Sequence, residues 1–265
     1  MANTCRSVVA FIAIVGALIA GCSSTAVAPG PQVRQILAPT GALRVGVYPG
    51  SPTSMVRDPA SGETKGVAYE LGKDLARRLG VPFEPVVFPR IAEVLAAMKS
   101  GQVDFTCTNA TAARAKDVDF TPALVELELG YLVLPGSPVS SLADVDRPGI
   151  RVGVSQGSTS LSTLAREFKH ASLVQAPTLK SAGEMLLARK VDAFATNKGI
   201  LFEMADRLPN ARVLEGRWGL EHIAIAIPKG RDQAMAYVRQ FAEAAKADGR
   251  VKRAVERAGL RGTVQ

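Results

Sequence analysis

Leu43-Arg44-Val45-Gly46-Val47 and Ile150-Arg151-Val152-Gly153-Val154 are near copies of one phrase. Each opens a stretch in which apolar runs of strand length alternate with segments of helical apolar spacing. Each stretch then reaches a second echo. It reads Val103-Asp104-Phe105-Thr106-Cys107-Thr108 in the first and Val191-Asp192-Ala193-Phe194-Ala195-Thr196 in the second. A repeated β-α-β-α-β unit predicts two similar lobes, and clefts between lobes are where small ligands bind.

Working outward, Glu70 to Leu79 has apolar residues at helical spacing, with Gly80 as C-cap and Pro82 beyond it. Pro82–Phe88 is strand-like, Ile91–Met98 helical, and Val103–Thr108 strand-like. In the second unit strands are expected at 151–154, 172–175 and 191–195. Helices are expected from Gly157-Ser158-Thr159 to Phe168, over 181–188 and up to Ala205. Alternation at this pace predicts a mostly parallel α/β sheet in each lobe, flanked by helices. Leu124–Leu134 and Ile223–Ile227 are extended runs suited to cross from lobe to lobe and back. Arg231–Ala247 and Val251–Ala258 read as closing amphipathic helices. The expected division is residues 40–125 with 222–265 in lobe 1, and 126–221 in lobe 2.

The first residues read as targeting signal rather than fold. Arg6 is the one charge before Cys22, and Ser7 to Gly21 is an apolar run, short for a membrane span. It ends Leu18-Ile19-Ala20-Gly21-Cys22, which resembles a bacterial lipobox. Residues 1–21 are therefore expected to be removed, Cys22 to carry lipid, and 22–39 to form a tether. With Cys5 lost and Cys22 lipidated, Cys107 is left alone, so no internal disulfide is expected. Two His and one remaining Cys give no metal-ligand cluster, and no cofactor is expected. The net charge of +8 is spread as single residues with few aromatics, which argues against nucleic acid as a partner.

Further phrases fall in a fixed order: Ser100-Gly101-Gln102-Val103-Asp104, Ala113-Arg114-Ala115-Lys116-Asp117-Val118-Asp119-Phe120-Thr121, Gln156-Gly157-Ser158-Thr159 and Lys190-Val191-Asp192-Ala193. Together with the opening pair they resemble the periplasmic solute-binding proteins of ABC importers, in the polar amino-acid family (extracellular solute-binding family 3), over about residues 40–260. The resemblance implies a two-lobed type II binding-protein fold, an extracytoplasmic location, an ABC permease as partner and a small carboxylate ligand. A lipid-anchored monomer is expected.

Local chemistry points the same way. Arg114 follows a Thr-rich segment beyond a strand end, and its guanidinium fork matches a carboxylate. The turn at Ser158 and Thr159 combines helix-start amides with two hydroxyls, an anion site. In the family the corresponding Arg and turn hold the ligand's α-carboxylate from opposite lobes. Asn109 stands where the family carries Ser or Thr, and Cys107 where a main-chain carbonyl meets the ligand's amine. Two positions depart from the pattern. Tyr48 stands where an acid is usual, followed by a loop without the usual aromatic, and Asn197 stands where an Asp often pairs with the ammonium. The resemblance therefore implies a retained carboxylate grip and a weakened ammonium grip, hence a ligand that need not be a standard amino acid. Tyr48 is a candidate stacking face. Glu126 and Glu128 share one face of the first crossing strand and are candidates to replace the missing acid.

Three alternatives remain open on sequence. Gly153-Val154-Ser155-Gln156-Gly157 fits a nucleophile elbow, with Asp192 and His222 following in hydrolase order. Relatives of this fold include dehydratases that use a cleft carboxylate, for which Glu126 is the candidate. A receptor that senses without transport carries no distinguishing signature.

Overall fold

A computed structural model of the chain describes Met1 and residues 29–264. Apart from Met1 the expected signal segment lies outside the described residues, as do Cys22 and the expected tether up to residue 28. The strands are β1 (Leu43–Val47), β2 (Val56–Arg57), β3 (Thr64–Lys65), β4 (Phe83–Val87), β5 (Thr106–Asn109), β6 (Val118–Phe120), β7 (Val125–Val133), β8 (Arg151–Ser155), β9 (Ser172–Ala176), β10 (Ala193–Asn197), β11 (Arg212–Val213) and β12 (Gly219–Pro228). The helices are α1 (Pro31–Leu37), α2 (Val67–Leu79), α3 (Ile91–Lys99), α4 (Thr159–Glu167), α5 (Leu179–Leu187), α6 (Lys198–Ala205), α7 (Asp232–Ala247) and α8 (Arg250–Arg257).

The two units build matching sheets. In lobe 1, β4 pairs parallel with β1, β1 meets the start of β5 at a Val45–Phe105 bridge, and β5 pairs with β12. In lobe 2 the order is β9, β8, β10, β7, parallel except for β7. Both therefore run second strand, first strand, third strand, crossover strand. The crossovers β7 and β12 pair antiparallel over Val125–Leu129 and Gly219–Ile223, forming the ribbon that joins the lobes. The C-terminal tail adds to this ribbon, with Thr263 opposite Leu127.

The echoed residues explain each other. Arg44 donates from its backbone N, Nε and Nη2 to the Asp104 carboxylate at 3.1, 2.8 and 2.9 Å. Arg151 makes the same three bonds to Asp192 at 2.8, 3.1 and 2.7 Å. The shared glycine has a packing reason in both copies. A Cβ on Gly46 would lie 2.7 Å from Val94 Cγ1, and one on Gly153 would lie 2.9 Å from Phe194 Cδ2.

Helix α2 buries Val67, Ala68, Leu71, Leu75, Ala76 and Leu79 against β1 and ends at Gly80 in the left-handed region, as its spacing predicts. Its first amides are satisfied by the loop after β1, since Val67 and Ala68 donate to the Pro52 and Thr53 carbonyls at 3.0 Å each. That docking requires Gly66, where φ is 153° and a Cβ would fall 2.1 Å from the Ser54 carbonyl oxygen.

Several expectations need correction. The stretch read as tether up to residue 39 includes α1, which packs against α7 and buries Leu37 completely. Seven residues do not hold a helix by themselves, so tertiary contact stabilises it. The β2–β3 hairpin, β6 and β11 are too short to give a periodic signal. The return crossover begins at Gly219, four residues before the expected Ile223. Residues 260–262 also reach lobe 2. Leu260 packs near Gly199, and Arg261 pairs with Asp206 and lies 4.8 Å above the Phe202 ring.

Candidate functional site

The carboxyl ends of β1, β5, β8 and β10 all open into one space between the lobes, as α/β sheets place their sites. A partly enclosed cavity lies there, with residues of both lobes in its wall. Its lining includes Tyr48, Cys107, Asn109, Arg114, Ser155, Asn197 and Glu221.

Arg114 starts a single 3-10 turn after β5. Its Nη1 donates to Thr108 Oγ1 at 2.7 Å and to the Asn109 carbonyl at 3.2 Å. Both bonds come from one nitrogen, which fixes the plane of the guanidinium and leaves its other edge uncommitted. Burial lowers its pKa, opposed by attraction to Glu221, and an arginine stays cationic through such a change. Arg114 also borders a second hollow, with Gly157, Ser158 and Thr159 of the other lobe. The structure thus brings the two parts of the expected carboxylate grip to opposite walls of one gap. Ser158 Oγ is engaged as the N-cap of α4, accepting from the Leu161 N–H at 3.1 Å.

Cys107 is buried, and burial pushes its thiol pKa well up, so the side chain is an inert apolar group. Its main chain is better placed. The Phe105 carbonyl accepts from the Gly46 N–H at 2.9 Å. Carbonyls two residues apart point the same way along a strand. The Cys107 carbonyl therefore faces the Tyr48 side, where the Tyr48 N–H is already held by Ser54 Oγ at 2.8 Å. The Tyr48 side chain lines the cavity, and its desolvated hydroxyl has a raised pKa.

The two remaining predicted residues serve a third one that the sequence reading missed. Asn197 caps α6 through Oδ1, accepting from Ile200 N–H at 3.1 Å, and its Nδ2 donates to Glu221 Oε2 at 2.9 Å. Asn109 Oδ1 accepts from His222 N–H at 2.9 Å, and its Nδ2 reaches Thr159 Oγ1 at 3.4 Å. The Thr159 hydroxyl donates to Glu221 Oε1 at 2.9 Å. A run of hydrogen bonds from lobe 1 through α4 thus ends on the Glu221 carboxylate. Glu221 is buried, on the part of β12 that lies before the expected strand start.

Glu126 and Glu128 do not enter the cavity. Glu126 pairs with His222 Nδ1 at 3.2 Å on the surface, and Glu128 is held by Lys198 and Arg217. On β7 the side chains alternate between faces, and these two share the outward one. The same facts dismantle the hydrolase arrangement. Asp192 is bound by Arg151 at the start of β8, whereas Ser155 stands at its end, about 13 Å away along a strand. His222 faces Glu126 instead.

Residues 43–259 match the model of the bacterial extracellular solute-binding proteins, family 3. The ABC transporter glutamine-binding protein GlnH of Bacillus subtilis (strain 168) is 25% identical over 199 residues, spanning 74% of this chain and 72% of that protein. The solute receptor for L-cysteine of Neisseria gonorrhoeae superposes with a TM-score of 0.75 at 28% identity, covering 85% of this chain and 92% of that one. An ancestral arginine-binding protein bound to glutamine superposes with a TM-score of 0.72 at 26% identity, covering 82% and 96%. The chain belongs to the bacterial extracellular solute-binding proteins, family 3.

Proposed function

We propose that this protein captures a small carboxylate-bearing solute outside the cytoplasm and presents it to an ABC permease. The ligand's carboxylate lies between Arg114 of lobe 1 and the Gly157-Ser158-Thr159 turn of lobe 2. The observation that carries this reading is that Arg114, with only Nη1 of its guanidinium engaged, borders the same interlobe gap as that turn. A guanidinium fork and helix-start amides on opposite walls make binding and closure one event, and a permease can then select the closed form. Relatives named for glutamine and L-cysteine support an amino acid or a close analogue as the solute. Anchoring through lipid on Cys22 and action as a monomer belong to the same proposal.

The test is calorimetric titration of the ligand-stripped protein with amino acids and organic acids, beside Arg114→Ala. Removing the partner of a desolvated carboxylate costs about 3–5 kcal/mol, so binding should weaken at least about 100-fold. Unchanged affinity in Arg114→Ala would refute the assigned grip.

A further inference from the structure

We infer that Glu221 is the counter-charge for a ligand ammonium, and that the solute is therefore an α-amino acid with an uncharged side chain. The inference rests on the carboxylate reading above and goes further by naming the ligand class. It also reverses the sequence expectation of a weakened ammonium grip.

The Glu221 carboxylate is buried in the cavity wall, and a buried carboxylate is costly without a cationic partner. Its two hydrogen bonds come from neutral donors, Thr159 Oγ1 and Asn197 Nδ2. Among the described residues it forms no ion pair; Arg114, which lines the same cavity, attracts it only from beyond salt-bridge distance. Each carboxylate oxygen accepts one of these bonds and keeps a free lone pair. A cation arriving in the cavity meets both.

The support around Glu221 is that of a positioned group. Asn197, at the position of the missing acid, uses the oxygen of its amide to cap α6 and the nitrogen to steer Glu221. The acid is thus displaced from the end of β10 to the adjoining crossover, with Asn197 as its positioning residue. Thr159 fixes the other oxygen, and its own position is tied to Asn109 of lobe 1. The Cys107 carbonyl, aimed past the end of β1, offers the ammonium a further acceptor.

Charge counting then restricts the side chain. Arg114 and Glu221 match one carboxylate and one ammonium. The other charged side chain lining the cavity, Arg90, is committed through its Nη atoms to Glu93 at 2.6 Å and to the Pro177 carbonyl at 3.2 Å, and its unpartnered Nε is sealed from the cavity space. The rest of the lining is neutral, with Pro89, Ile91, Leu179, Ile200 and Ile223 supplying apolar surface. A third ligand charge has no free partner there, and an unpaired buried charge is strongly disfavoured.

The experiment titrates the ligand-stripped protein with the twenty L-amino acids, and with des-amino analogues of those that bind. For glutamine and cysteine the analogues are glutaramate and 3-mercaptopropionate. Glu221→Gln is the test variant, since Gln keeps the size and the Thr159 hydroxyl can turn to accept from its amide. An unchanged urea midpoint shows that it folds. The expected result is tight binding of one or more amino acids with uncharged side chains. Loss of the α-ammonium should weaken that binding about 100-fold, and Glu221→Gln should weaken amino-acid binding to the same extent. Binding of the des-amino analogue should be unchanged in Glu221→Gln. Des-amino acids that bind as well as amino acids, with Arg114→Ala still abolishing binding, overturn this inference alone. So does selective binding of arginine, lysine, aspartate or glutamate. Failure of every carboxylate to bind overturns the carboxylate reading with it.

Discussion

The two lobes carry the same ion pair in different surroundings. At the start of β1, Asp104 is held by Arg44 and also by Arg231 at 2.7 Å, and its side chain is 0% exposed, with Arg44 at 15%. At the start of β8, Asp192 is held by Arg151 alone, with exposures of 13% and 42%. The atoms and directions of the shared bonds are identical. In lobe 1 the pair has become a sealed junction joining the first strand, the third strand and the entry to α7. In lobe 2 it remains a clamp between two strands at the surface. The lesson is that a repeated motif fixes geometry, while burial fixes how much that geometry matters. At the opposite ends of the same strands the copies diverge altogether. A serine and threonine loop follows β1, and the turn that caps α4 follows β8.

The largest effect expected from this comparison is on Asp104. Asp104→Ala leaves two guanidinium groups facing each other with little access to water, and loss of one member of a buried charge cluster costs about 3–5 kcal/mol. Asp192→Ala strands an arginine that can turn to solvent, so about 1 kcal/mol is expected. Urea unfolding of both variants at pH 7 measures the difference. Equal losses would show that burial does not separate the two copies.

Acid sharpens the comparison from the lobe 2 side. Burial works against the charge of Asp192, but hydrogen bonds from the Arg151 side chain and main chain outweigh it, and its pKa lies below the ordinary value. A carboxylate depressed in the folded state contributes stability above its unfolded pKa of about 3.9. That contribution is lost as pH falls through the folded pKa. The gap in urea midpoint between wild type and Asp192→Ala should therefore be full at pH 7 and shrink below about pH 4. A gap that stays constant down to pH 3 contradicts the assignment.

Much of this was legible in the chain. Apolar periodicity located the longer strands and α2 to α8 to within a few residues, because each buries one face. Arg114 and the Ser158–Thr159 turn were legible because their positions after strand ends follow from the unit itself. The Arg–Asp clamps were visible only as echoes. Their members are 60 and 41 residues apart, and spacing does not announce a contact. Glu221 was hidden for a different reason. Leu220-Glu221-His222 breaks the apolar run, so the strand seemed to begin at Ile223. The ladder to β7 extends it back to Gly219, and that extension carries the acid into the cavity. Pairing between distant segments made the site residue, and local pattern does not encode it.

The smallest expected effect separates Glu221 from the acid that sequence reasoning favoured. Glu126 stands on β7 directly opposite His222, the neighbour of Glu221 on β12. Adjacent residues on a strand point to opposite faces, so one ladder sends His222 and Glu126 outward and Glu221 inward. The outward pair is about half exposed on both sides, and exposed pairs contribute about 0–1 kcal/mol. Glu126→Gln should thus shift the urea midpoint by less than about 0.5 kcal/mol in equivalent energy and leave ligand affinity within about twofold. Loss of binding in Glu126→Gln would place the wrong carboxylate in the cavity and reverse the facing assigned to this part of β12.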